Sequence, residues 1–514
     1  MGATWIGTVI GRFAPRRSGR NVVGTLAVCS ALVPAAIVLA PTLAGAGRVN
    51  SAGFSRQVDG TAPWTMFGFN LAHSSMNAAA VSITPTNAAS LKQAWQFKAP
   101  VPTKTGQPGA PYFDGSPVVA DGLVILGSNT GVLYALHEDT GIVAWSVNTG
   151  FLPAHTCPAA GIRDTPTVAA DPTTGAPTVY VTTAAGTLFA IRAATGTIAW
   201  KADVFKPAAA SSPYIWDSPA VYGGRVYVGI ATGCDNPLIR GGLVSLSQAT
   251  GKVLGHFWTV GSGVVGGSIW SAVAADSTGL FVTTGNGNEA QPADQGLSNS
   301  VVLLNPTTMS VESHWTVPSI ATVDDDFGSS PTLFTATIGG RSTAMVGACN
   351  KNGVYYAWKQ ADLSAGPVWK DQLGIPAGTV NEDTCIATAG WNGTNIFITT
   401  NGDTIAGHTY PAVSRELNPA TGAVIWQTPL ADGPVLGNTA LDGKGVLAAV
   451  TYSPRSSKTT NELALFNIST GAELATYPTV TVTGGEPTFA DGYLLFGGAD
   501  GLLHALVPTA ATGH

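Results

Sequence analysis

The densest chemistry in the 514-residue chain is a run of three carboxylates, Asp324-Asp325-Asp326, placed directly before Phe327. Adjacent carboxylates repel one another and raise their own pKa values unless a cation sits among them. Such a run is a proton acceptor, a cation neighbour or a solvated acidic loop. Other chemistries find little support. The 8 histidines show no metal-ligand spacing. Outside the N-terminal segment, which holds Cys29, four cysteines remain: Cys157, Cys234, Cys349 and Cys385. No C-x-x-C is present, which leaves a thiolate zinc site unsupported, and no C-x-x-C-H, which excludes covalently attached haem c. There is no G-x-S-x-G elbow and no Walker loop, so hydrolase and nucleotide-binding readings have no footing.

The elements that must position any site come from an internal repeat. DTGIVAW at 139–145 returns as ATGTIAW at 194–200, ATGKVLG at 249–255, ATGAVIW at 420–426 and STGAELA at 469–475. Each Thr-Gly follows an alternating apolar stretch such as GVLYALHE or GTLFAIRA, and each unit opens on a phrase such as DGSPVVADG or RDTPTVAAD. Between the two lies a β-branched run (LVILGS, VYVTT, RVYVGI). Period-2 alternation bounded by turn residues reads as strands. One unit is thus four short strands, A to D, and tandem four-stranded units predict a β-propeller. Openings near 116, 165, 218, 270, 329, 385, 438 and 486 predict eight blades of an all-β fold. The last unit lacks its own strand D, whereas LKQAWQFKA at 91–99 has the look of a D strand with nothing before it. The N-terminal strand is therefore expected to close the ring and leave no open edge. Trp95, Trp145, Trp200 and Trp426 in the D strands read as packing between blades.

Composition agrees. Charged residues are only 11% of the chain, and 63 Gly and 33 Pro are spread along it, which argues against long helices. A net charge of −6 argues against a nucleic-acid binder held by phosphate contacts. Residues 21–47 carry no charge, follow Arg12, Arg16, Arg17 and Arg20, and end in small residues. That order predicts an export signal over residues 1–47, with an uncleaved N-terminal anchor as the alternative. A linker at 48–62 and a single propeller domain at 63–514 complete the expected organisation. The protein is then secreted, periplasmic or displayed at the cell surface, meeting a membrane only through an uncleaved leader. An even cysteine count suits two disulfides there. Cys157 and Cys385 precede A strands while Cys234 and Cys349 follow B strands, so Cys349–Cys385 and Cys157–Cys234 are the expected pairs.

The repeated A-x-D-x-x-T-G-x-x-x-W phrase resembles the pyrroloquinoline-quinone (PQQ) propeller repeat. PWTMFGFNLAHSSMNAAAVSITPTNAASLKQAW (63–95) looks like the N-terminal segment of quinoprotein alcohol dehydrogenases. SIWSAVAADSTGLFVTTGNGN (268–288) and DDDFGSSPTLF (324–334) look more like the polyvinyl-alcohol-dehydrogenase branch. The resemblance implies roles for particular residues. Asn286, in TTGNGN, matches a calcium ligand. Asp326, before an aromatic, matches the catalytic base and a metal neighbour. Lys351, in NKNGVYY, and Arg163, six residues after Cys157, match basic groups on the quinone. Trp270 matches the floor beneath it, and Ser218 a hydroxyl near its ring. The family's second calcium ligand is a Glu; the matching position here is Asn236, with Asp235 beside it. The adjacent-cysteine pair over the quinone is reduced to Cys157. Asp324, two residues upstream of Asp326, is expected to point away from the axis or into solvent.

A topological check is independent of the resemblance. Residues just before an A strand and just after a B strand share one rim of a propeller. Arg163, Ser218, Trp270 and Asp326 are of the first kind; Asn236, Asn286 and Lys351 are of the second. The expected function is an exported PQQ-dependent dehydrogenase, with Ca²⁺ as a second cofactor, that oxidises an alcohol and hands electrons to a separate acceptor. The alternative is a non-catalytic propeller that binds protein or polymer ligands at its rim.

Overall fold

In the computed structural model, residues 61–102, 109–153, 158–205, 213–235, 237–288, 290, 295–318, 324–375, 384–451, 461–479 and 485–509 are described. The leader, Cys157 and Asn236 lie outside them. Eight antiparallel sheets follow one another along the chain, and each is a blade. Blade one runs Val118–Ala120, Leu123–Gly127, Val132–His137 and Val143–Asn148, in that order from the inside outward. Its inner strands are buried on both faces, and its outermost strand alternates between exposed and half-buried. This is why B and C strands read as near-continuous apolar runs and D strands as alternating ones. Innermost strands of the other blades begin at Thr167, Ala220, Ala274, Thr332, Gly390, Ala440 and Thr488, just after the expected openings. Among the described residues no helix is long and apolar enough to cross a membrane.

The ring closes as expected. Leu91–Lys98 pairs antiparallel with Leu502–Pro508 as the fourth strand of blade eight, from Leu91 opposite Pro508 to Lys98 opposite Leu502. The first and last strands of the propeller thus share one sheet, and the chain cannot open without losing a full ladder.

One lock recurs between blades. The indole Nε1 of Trp95, Trp145, Trp200 and Trp426 donates to a carbonyl of the next blade, at Glu138 (2.7 Å), Ala193 (2.7 Å), Gln248 (3.2 Å) and Ile468 (2.8 Å). Each ring then lies on the Thr-Gly turn of that blade. A Cβ on Gly141, Gly196, Gly251 or Gly471 would sit within 2.8 Å of an indole carbon, and all four have φ of 67–70°. Only glycine meets both demands. Trp369, whose strand follows no Thr-Gly phrase, does the same to Gly422 and donates to Pro419 at 2.8 Å. Between blades three and four the bulk changes sides. Gly255 stands where other blades carry the Trp, and Met309, at φ 61°, stands where they carry the Gly. The Met309 side chain fills the space over Gly255.

The inner edges of the A strands are closed by the segment 62–77. Its carbonyls accept from backbone N–H groups of blade after blade: Thr65 from Val168, Leu71 from Ala275, Ala72 from Leu333, Ser74 from Trp391 and Ser75 from Leu441. Trp64 exchanges a pair of bonds with Val119, and Met76–Asn77 runs parallel to Ala440–Asp442. This segment therefore fills the axis. His73, at its turn, is fully buried, and its Nδ1–H donates to the Pro331 carbonyl at 2.8 Å. Burial pushes its pKa down to about 4. Gly68 N–H donates to the Glu486 carboxyl of blade eight at 3.0 Å, and burial pushes that carboxyl up to about 7.

Two expectations follow. Deleting residues 91–98 should lower the melting temperature and start proteolysis within residues 485–508; an unchanged melting temperature would contradict closure by this strand. The Glu486 carboxyl has a folded pKa above its unfolded value near 4.5, so its proton favours the fold at low pH and that contribution is lost as pH rises from about 4.5 to about 7. Glu486→Gln should therefore gain stability relative to wild type across that interval, by about 3 kcal/mol at most. Parallel urea titrations at pH 4.5 and 7.5 measure it, and a difference independent of pH would refute the assignment.

Candidate active site at one rim

Trp270 and Asp326 precede the inner strands Ala274–Ala275 and Thr332–Ile338 of blades four and five. Asn286 and Lys351 follow the second strands, Leu280–Thr283 and Arg341–Cys349. Backbone pairing continues past the ends of the strands. Phe327 bridges Asn350, and Lys351 N–H donates to the Asp326 carbonyl at 2.8 Å, which sets the two side chains beside each other. Gly285 and Gly328 make room. A Cβ on Gly285 would lie 3.1 Å from Asp326 Oδ2, and one on Gly328 would lie 3.1 Å from the Trp270 ring.

The side chains form one bonded cluster. Trp270 Nε1 donates to Asp326 Oδ2 at 3.0 Å. Lys351 Nζ lies 2.8 Å from Asp326 Oδ1, 2.9 Å from Asp324 Oδ1 and 5.0 Å from the Trp270 ring centroid. Asn286 Nδ2 donates to Asp324 Oδ1 at 2.8 Å and to Asp235 Oδ2 at 3.2 Å. Asp326 and Lys351 are both buried. Burial raises the Asp326 pKa, Lys351 opposes it, and Asp324 and Asp235 add to the rise, leaving it at about 6. Burial alone would lower the Lys351 ammonium, yet Asp326 and Asp324 hold it well above its ordinary value. The result is a carboxylate that gains or loses a proton near neutrality beside a permanent cation and an indole face.

Asp324 corrects the sequence reading. It does not point away from the axis; it binds both Lys351 and Asn286. The reason is the backbone pairing of Asp326 and Phe327 with Lys351 and Asn350, which lays the Asp324–Asp326 run beside the Lys351 side chain. Asp235 is the other residue the motif comparison underrated. It lies one position before Asn236, follows the strand Arg225–Thr232, and reaches Asn286. The second metal position, Asn236, is outside the described residues.

Arg163 is placed in a different cluster. Its Nε donates to Tyr214 Oη at 3.0 Å, and its Nη1 donates to Tyr112 Oη at 2.7 Å and pairs with Asp114. The guanidinium lies 4.8 Å from the Trp216 ring centroid. Burial alone would lower the Arg163 pKa, but Asp114 and the two phenols hold it high. Burial, with Asp114 adding to it, pushes Tyr112 up to about 12. Ser218 is buried and its Oγ accepts from Thr165 N–H at 3.0 Å. That bond is one of a ring: Glu486 N–H to Ser116, Ser116 N–H to Thr165, Ala272 N–H to Ser330, Ser330 N–H to Thr388 and Thr388 N–H to Asn438 repeat it between other blades. The Cys349–Cys385 disulfide joins blades five and six as expected, with Cα atoms 5.3 Å apart. Cys234 is also disulfide-bonded, and its expected partner Cys157 lies outside the described residues. Among the described residues no three His, Cys, Asp or Glu side chains are gathered as a ready-made metal cage.

Fold and repeat define an eight-bladed propeller. The family model described as "Glucose/ethanol/alcohol dehydrogenase, beta-propeller domain" matches residues 64–203, and that described as "Outer membrane protein assembly factor BamB" matches residues 154–285. The chain resembles the quinoprotein alcohol dehydrogenases. It is 27% identical to the polyvinylalcohol dehydrogenase of Sphingopyxis sp. (strain 113P3) over 57% of this chain and 49% of that protein. It is 25% identical to the dehydrogenase subunit of the quinone alcohol dehydrogenase of Gluconacetobacter polyoxogenes, over 67% of this chain and 50% of that protein. The chain thus spans about half the length of the curated relatives it matches. Among solved structures, the quinohemoprotein alcohol dehydrogenase ADHIIG of Pseudomonas putida HK5 superposes with a TM-score of 0.69 at 18% identity, over 88% of this chain and 81% of that one. BamB of Moraxella catarrhalis superposes with 0.52 at 14%, over 81% and 99%. At these identities the structural likeness carries the fold alone.

The Arg163 cluster generates a stability prediction. Arg163→Met removes the cation beside Asp114, whose side chain is 26% exposed, so the loss should fall below the roughly 3–5 kcal/mol typical of breaking a fully buried pair. Arg163→Met with Asp114→Asn should recover much of it. Urea unfolding of the two variants checks this; equal stability of Arg163→Met and wild type would rule out a coupled pair.

Proposed function

We propose that this chain is an exported PQQ-dependent dehydrogenase that oxidises an alcohol and passes electrons to a separate acceptor. The observation that carries the reading is the convergence of Trp270, Asp326 and Lys351 in one bonded cluster, the three residues that the family resemblance assigns to floor, base and quinone contact. The donor set fits a flat quinone bearing carboxylates: an indole face for stacking, a buried ammonium and a carboxylate. When bound, PQQ would supply the hydride acceptor. Asp326, with its pKa near 6, takes the alcohol proton as general base. Lys351 keeps that carboxylate oriented and presents positive charge to quinone oxygens. Trp270 would offer its indole face to a bound ring, and Arg163, although already paired with Asp114, is the second basic group the resemblance names for it. Ca²⁺ would be held by the hard oxygens of Asp326 and Asn286, with Asn236 as the remaining position the resemblance names. Export rests on the Arg-rich leader.

The match of residues 154–285 to the BamB family model supports a second reading, a non-catalytic propeller that binds protein or polymer at its rim outside the cytoplasm. One titration separates the two. Adding PQQ with Ca²⁺ should quench Trp fluorescence and shift the quinone absorbance, and short alcohols should then reduce a dye. Asp326→Asn should keep the melting temperature of the unliganded protein within a few degrees and lower the dye-reduction rate by about 10²–10⁴-fold. Absence of PQQ binding to wild type at high Ca²⁺ would leave the binding propeller in place.

A further inference from the structure

Asp324 has no part in the roles assigned above, yet two of the cluster's three side-chain donors end on it. We propose that Asp324, assisted by Asp235, is a positioning residue that pins the Lys351 ammonium against Asp326 and fixes the amide of Asn286. The inference deepens the dehydrogenase reading and rests on it.

An ammonium on a four-carbon stem is a flexible point charge, and a single carboxylate leaves it free to swing. Here two carboxylates, two residues apart in sequence, both hold it, at 2.8 and 2.9 Å. The Asp324 carboxylate is 18% exposed and the Lys351 side chain 6%, so solvent competes little for this pair. Asn286 comes next. Ionised carboxylates only accept hydrogen bonds, so an amide placed between two of them must turn its Nδ2 toward both. Asp324 Oδ1 at 2.8 Å and Asp235 Oδ2 at 3.2 Å impose that orientation. The contacts form one path from Asp235 of blade three, through Asn286 of blade four, to Asp324, Lys351 and Asp326 of blade five, and back to Trp270 of blade four. Asp324 is its branch point. Asp235, beside the position 236 that matches the family's Glu and holds Asn here, supplies the acid on this path.

The test is a double-mutant cycle of Asp324→Asn and Lys351→Met in the full chain, read in two ways. In protein without added cofactor, unfolding free energies of the two single variants and the double variant should be non-additive, the double variant losing less than the sum. In protein given PQQ and Ca²⁺, Asp324→Asn should lower kcat for a short alcohol by about tenfold or more while KM stays within about twofold, and Asp324→Glu should recover part of the loss. Additive unfolding energies, or a kcat equal to wild type in the folded Asp324→Asn protein, would overturn the proposal. If wild type binds no PQQ, the dehydrogenase reading falls. The unfolding cycle then decides alone whether Asp324 positions Lys351: non-additivity upholds it and additivity removes it.

Discussion

The structure depends on one contact repeated around the ring: a tryptophan from the outer strand of one blade pressed on a glycine turn of the next. The indole needs a flat, Cβ-free surface, and the turn needs a residue with positive φ, so both demands fall on the same glycine. The Nε1–H then bonds a carbonyl of that turn, which keeps the buried indole nitrogen satisfied. Such a lock sets the distance and tilt between neighbouring blades. Eight blades meet edge to edge only if that tilt is nearly constant, and the site needs it too, because its residues come from different blades. Between blades three and four the bulk comes from the other side, with Met309 packed over Gly255.

A propeller has two edge problems, and this chain solves them with neighbouring pieces of one segment. The outer edge of blade eight is covered by Leu91–Lys98. The inner edges of the A strands are covered by residues 62–77, whose carbonyls bond blades one after another around the axis. Unpaired strand edges buried at an axis would cost the desolvation of every N–H they expose. The segment removes that cost without adding a ninth blade. It also places His73 and Glu486, two groups with shifted pKa values, in the interior near the axis.

The site is built from the loops that such a frame leaves at one rim. Its chemistry comes from unequal neighbours. Asp326 is fully enclosed and beside two other carboxylates, which raises its pKa, while one ammonium limits the rise. Arg163 sits instead in a box of Tyr112, Tyr214 and Trp216, already paired with Asp114. Its cation is thus neutralised locally, whereas Lys351 is shared between two acids.

Much of the fold was legible in the chain. The Thr-Gly phrases, the alternating stretches before them and the orphan strand at 91–99 predicted eight blades and their closure, because each is a local pattern repeated at near-constant spacing. The rim shared by Trp270, Asn286, Asp326 and Lys351 was legible as well, since it follows from strand direction. Trp369 escaped because its strand follows no Thr-Gly phrase, and the axial segment because it pairs with strands hundreds of residues away. The acid run marked itself, but its division of labour did not. Whether Asp324 faced solvent or Lys351 depended on the pairing of 326–327 with 350–351, and whether Asp235 reached Asn286 depended on the approach of blades three and four. Sequence alone determined the blades, their order and the residues at each strand end, because strand patterns are local. Tertiary structure alone decided which of those residues touch, because contacts between blades are set by packing across the ring.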